Sequence, residues 1–173
     1  MKDIILKICE RSLSILAYIF PLVEISSTFA LKVFLSADSQ FLRFFYSTYI
    51  TPATDFYRAN TYLCFALMLG IFITCAKGKV PFTNGKQKMP LTKYIRFNVI
   101  QAILINVISS CISVVYSEIP LVIQESSVGL IIATGLYLWV LMLIVSSIIV
   151  IIFGRVPKIP IISQAARLQM QRY

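Results

Sequence analysis

Glu24, Asn98, Gln101, Asn106, Ser109 and Ser113 are the residues whose types and spacing could do chemistry, because each lies inside a run of apolar residues. Polar side chains in hydrocarbon are costly and face a partner or a cavity rather than lipid tails. On a helical wheel of about 100° per residue, Asn98, Ala102, Asn106, Ser109, Ser110 and Ser113 share one arc, with Gln101 at its edge. Leu104, Val107, Cys111, Val114 and Val115 take the opposite, lipid-suited arc. Such a face suits a hydrophilic path or a substrate-contacting surface. It equally suits interhelical hydrogen bonding, which contributes about 0.6–2 kcal/mol per pair. Glu24 divides the same way, between a functional carboxylate and one hydrogen-bonded to Asn98, Gln101 or Asn106. No cation lies in any apolar run to pair with it.

Catalysis finds little support. The chain has no histidine, which removes the commonest general base and metal ligand. Its cysteines, Cys9, Cys64, Cys75 and Cys111, form no close-spaced metal or redox pair. No nucleophile–base set, paired intramembrane carboxylates or glycine-rich phosphate loop is present. The expectation is a protein that is not an enzyme and uses no cofactor and no metal.

The elements that must hold these residues are membrane helices. Of 173 residues, 58% are hydrophobic and 13% charged, against about 25% charged in a soluble domain. Mean hydropathy is +0.85. One all-α integral membrane domain over 1–173 follows, with spans at about 13–31, 61–76, 97–116 and 128–153. Pro21 should kink the first by removing the backbone bond to Ala17. The second is short: its sixteen residues reach about 24 Å, less than the ~30 Å hydrocarbon core. Its Ala66, Gly70 and Thr74 make a small-residue seam for another helix.

Between the first two spans, Phe41, Leu42, Phe45 and Tyr49 recur at helical spacing. This predicts an interfacial amphipathic helix over about 40–50, ending before Pro52, its rings in the headgroup zone or capping the bundle. The net charge of +9 reads as topology rather than nucleic-acid binding. Thirteen of the sixteen cations lie in the N-terminus, the basic loop 77–96 and the basic tail 154–173. The remaining connections hold only Lys32, Arg43 and Arg58. The alternation supports four crossings, with both termini on the side of synthesis. About eleven residues precede the first apolar run, which leaves no room for a transit peptide.

Ile95-Arg96-Phe97-Asn98-Val99-Ile100-Gln101-Ala102-Ile103-Leu104 resembles the signature of the twenty-kilodalton Tic subunit family of the chloroplast inner-envelope translocon, which has cyanobacterial relatives. Leu16 to Glu24, with Pro21, resembles that family's first span. Ile159-Pro160-Ile161-Ile162-Ser163-Gln164-Ala165-Ala166-Arg167-Leu168-Gln169 resembles its tail. The family motif residues carried over are thus Pro21, Arg96, Phe97, Asn98, Gln101, Ala102, Pro160, Ile161, Ser163, Ala165 and Gln169. The resemblance implies four spans with stromal termini. It also implies a subunit of a preprotein-conducting channel or its scaffold, with other translocon subunits, precursor polypeptides and membrane lipids as partners, and self-association to enclose a pore. The location implied is the plastid inner envelope for a plastid-encoded algal protein, or the plasma membrane for a cyanobacterial one. A small ion or solute transporter and a non-conducting assembly factor are the rival readings.

Overall fold

The computed structural model describes residues 2–36, 39–77 and 92–171. Most of the predicted basic loop (78–91), with Lys79, Lys86 and Lys88, and the tail cation Arg172 lie outside them. The described residues are helical, with no strand among them.

The first apolar run forms two helices, α1 (Lys2–Leu16) and α2 (Ile19–Ser36). The break falls at Ala17-Tyr18, and Pro21 is the third residue of α2. A first-turn N–H has no intrahelical acceptor, so proline costs nothing there. The predicted kink is thus a helix restart one turn upstream of the proline.

The predicted interfacial helix differs from expectation. It runs as α3 (Gln40–Phe45), a π-helical turn (Tyr46–Ile50) and α4 (Thr51–Ala59), straight through Pro52. Thr51 donates both its N–H and its hydroxyl to the Tyr46 carbonyl, the latter at 3.1 Å. That wide turn absorbs the proline, which ordinary α-helical bonding would not. The segment ends at Asn60, where the chain bends by 84° into α5 (Thr61–Lys77). Its aromatics divide between the two expected roles. Tyr46 stacks on Phe34 of α2 at 5.8 Å, whereas Phe41, Phe44 and Phe56 point outward.

α6 (Lys93–Ser117) and α8 (Ser127–Ile152) follow, joined through the single turn α7 (Leu121–Gln124). Gly129 packs so closely on the Ile123 and Gln124 carbonyls that a Cβ would collide with them. The tail, expected only to be basic, folds into α9 (Ile162–Gln171). It turns back through Ile161, at φ +67°.

α2 is the hub, packed on α4, α6 and α8. Tyr18, Ile25, Phe29, Ile105, Tyr137 and Ile144 form the main core, and a second cluster ties α5 and α9 to the first half of α6. Lys32 of α2 donates to Tyr116 of α6 and Gln124 of α7 at one end of the bundle. At the other end, Arg11 of α1 and Tyr94 of α6 donate to the last carbonyls of α8. α6 therefore runs parallel to α2 and antiparallel to α8. Three helical stretches are long and apolar enough to cross a membrane: Lys7–Ser36, Lys93–Ser117 and Ser127–Ile152. A fourth is added if the bent pair ending in α5 counts as one broken span.

Candidate functional site

The polar face of α6 is buried, but it serves two different places. In the first half, Asn98 and Gln101 are fully enclosed by the chain itself. Asn98 donates its Nδ2–H to Ser14 Oγ of α1 at 3.2 Å. Gln101 reaches Ser163 Oγ at 3.5 Å, and Ser163 in turn donates to the Pro157 carbonyl at 3.2 Å. The two amides thus join the motif on α6 to α1 and to the tail motif. Ser109 returns its hydroxyl to the Ile105 carbonyl within α6, at 3.0 Å.

One turn and more further on, the face opens into a recess of about 550 Å³ between α2, α4, α5 and α6. Glu24, Ser27, Arg58, Asn106, Ser110 and Ser113 supply its polar walls, and Tyr57, Tyr62 and Phe65 its aromatic ones. Glu24 accepts a hydrogen bond from Ser110 at 2.9 Å, and Ser113 one from Thr28 at the same distance. The partner expected for Glu24 was an amide of α6; the hydroxyl of Ser110 takes that place. Arg58 brings a guanidinium to the same recess and donates to the Ser27 carbonyl of α2. A cation therefore shares the recess with Glu24. It was hidden in the sequence because it ends a helix (α4) outside the apolar runs, and only the bend at Asn60 carries it inward.

The carbonyl oxygens of Asn98, Gln101 and Asn106 are buried with no hydrogen-bond partner among the described residues. An unpaired amide oxygen in a low-dielectric interior is costly and readily accepts from any donor brought to it. Of the three residues, Asn106 alone lines the recess.

The remaining motif residues are structural in their contacts. Arg96 donates Nε–H and Nη2–H to the Cys75 and Ala76 carbonyls, at 2.7 and 2.9 Å. These are orphan acceptors of the last turn of α5. Pro21, Phe97 and Ala102 are buried; Pro160 and Ile161 point outward from the tail turn, and Ala165 and Gln169 are half-buried on α9. The seam on α5 does not receive a helix of this chain. Ala66 and Gly70 are exposed, and nothing approaches within 4 Å of where a Gly70 Cβ would stand. Among the described residues no cluster of His, Cys, Asp and Glu could hold a metal ion.

A family model described as "Chloroplast import apparatus Tic20-like" matches residues 7–166. The chain belongs to that family. It is 31% identical over 163 residues to the Tic20 family protein Ycf60 of Gracilaria tenuistipitata var. liui, covering 94% of this chain and 76% of the relative. The proteins of the same name from Pyropia yezoensis and Porphyra purpurea are 27% and 26% identical. Their matches cover 74% and 94% of this chain and 60% and 76% of the relatives. No solved structure matches. With its long apolar helices, the Tic20-like chain is a plastid membrane protein with a role linked to protein import, as the resemblance of its motifs implied.

Proposed function

We propose that this protein is a multi-pass subunit of the plastid inner-envelope import translocon, and that its recess between α2, α5 and α6 contacts the precursor polypeptide. Family membership supports the setting. The observation that carries the contact surface is the unpaired Asn106 oxygen, placed with Glu24 and Arg58 in a recess walled by aromatic rings. An extended chain offers backbone N–H donors and carbonyl acceptors at every residue. A wall with acceptors, a cation and rings serves such a chain without reading its sequence. No covalent chemistry is required of it, so the protein acts without catalysis, cofactor or nucleic acid. On this reading four spans place both termini in the stroma, with α5 as the second crossing.

Asn98 and Gln101 have a different part. Held against α1 and α9, they brace the wall rather than line it. Single cysteines at Thr61 or Ser113 should therefore crosslink to a precursor arrested in transit, while cysteines at Asn98 or Gln101 should not. Crosslinks from all four positions alike, or from none, would remove the recess from the path. Plastids depleted of the protein should lose precursor uptake; normal uptake would defeat the translocon reading itself. One bundle of this size does not enclose a polypeptide, so the wall is completed by sister subunits or by further copies.

A second reading, the non-conducting scaffold, is favoured by the open small-residue face of α5, which suits close approach of a neighbouring helix. Substituting Gly70 by Leu should then dissolve the complex while leaving the isolated subunit folded.

A further inference from the structure

Lys93, Tyr94 and Phe97 of α6, Val156 of the segment between α8 and α9, and Arg167 and Met170 of α9 line a second, open cavity of about 500 Å³. It lies at the end of the bundle where α6 begins and where α8 has just ended, at Ile152. The Lys93 and Arg167 side chains are exposed at its rim, and the buried Phe97 ring stands below them. Neither cation has a hydrogen bond or ion pair among the described residues. Nor does the segment 78–91 contain any acidic residue that could neutralise them. α9 also presents Leu168, 62% exposed, on its outer side.

We propose that this cavity holds one anionic membrane lipid, its phosphate between Lys93 and Arg167 and an acyl chain against Phe97, Val156 and Met170. The charge and the apolar floor select together. Lys93 at the start of the apolar helix α6, with Arg167 of α9 on the same cavity, places positive charge at headgroup depth and attracts an anion there. A floor of Phe, Val and Met gives a free phosphate nothing to gain, whereas an acyl chain buries apolar surface on it. A lipid seated so would bridge the first turn of α6 to α9, next to the Gln101–Ser163 contact that already joins them. The inference does not depend on whether the recess at Glu24 meets a precursor.

The full-length protein, released from neutral detergent in native mass spectrometry, should retain one phosphatidylglycerol under conditions that strip phosphatidylcholine of the same acyl chains. The double variant Lys93→Gln with Arg167→Gln should weaken that retention by about twenty-five-fold, at about fivefold per headgroup-facing cation. Lys158→Gln, elsewhere in the tail, should leave it unchanged. The charge-keeping pair Lys93→Arg with Arg167→Lys should bind nearly as the native chain does, which separates loss of charge from loss of fold. Equal retention of both lipids, or unchanged retention by the double glutamine variant, would overturn the proposal. Displacement of the lipid by millimolar inorganic phosphate would overturn it too, and would assign the site to a free anion.

Discussion

Asn98 meets Ser14 across 84 residues of sequence, and their bond is a direct measure of how much an amide contributes inside this bundle. A double-mutant cycle with Asn98→Ala and Ser14→Ala should give a coupling of about 0.6–1.7 kcal/mol in denaturation of the detergent-solubilised protein. A coupling near zero would mean that Asn98 is held by packing alone. Glu24→Gln keeps an acceptor for Ser110 and should leave the melting temperature unchanged, whereas Glu24→Ala should lower it, since Ser110 then loses its partner. Ile161 is a β-branched residue at positive φ with its side chain 79% exposed, so it stores backbone strain with little packing in return. Ile161→Asn should therefore stabilise the tail, by up to about 1 kcal/mol, read as slower hydrogen exchange in α9. At this scale the sequence reading was partial. The wheel placed Leu104, Val107, Cys111, Val114 and Val115 outward; the last four are exposed, whereas Leu104 is half-buried against the core. It did not divide the polar face between brace and recess, because that depends on which helices lie opposite, and a wheel contains only one.

Helix α5 shows what the motif arginine does. Its seventeen residues keep an outward face that includes Tyr62, Leu63, Leu67 and Leu69, and its last carbonyls depend on Arg96. Arg96→Ala removes two charge-assisted bonds of about 1.5–3 kcal/mol each before relaxation. Exchange should accelerate along α5 and far less in α8; uniform acceleration would show that Arg96 supports the whole bundle. Arg96→Lys, with one point charge for two carbonyls, should fall between. The long helices α6 and α8 were legible from hydropathy to within a few residues. The segment 40–59 was not, since Pro52 reads as a stop and nothing local announces a π turn that accommodates it. The folded tail was missed for a related reason: α9 is too short and too polar to stand alone, and it forms against α6.

Across the molecule, the side-chain ties trace the direction in which each helix runs. α2 ends at the opposite end of the bundle from where α6 begins, so the intervening chain must return. α5 makes that return, from the recess it shares with Ser113 to the clasp at Arg96. On a cysteine-free background, single cysteines at Ser36 and Glu125 should be labelled from one side of the membrane, and those at Thr92 and Val156 from the other. Labelling of Thr92 from the same side as Ser36 would reduce the crossings to three. The ties themselves have a further consequence. Arg11, Tyr94, Arg96 and Gln124 all donate from side chains, while the groups they hold are main-chain carbonyls of Ile152, Ile151, Cys75, Ala76 and Ile119. Every residue type carries that carbonyl, so half of each contact is immune to mutation. In a saturation screen Cys75, Ala76, Ile151 and Ile152 should accept many replacements that preserve helix and volume, and their donors almost none. A protein wired in this one-sided way can drift far in sequence while its helices stay fastened end to end.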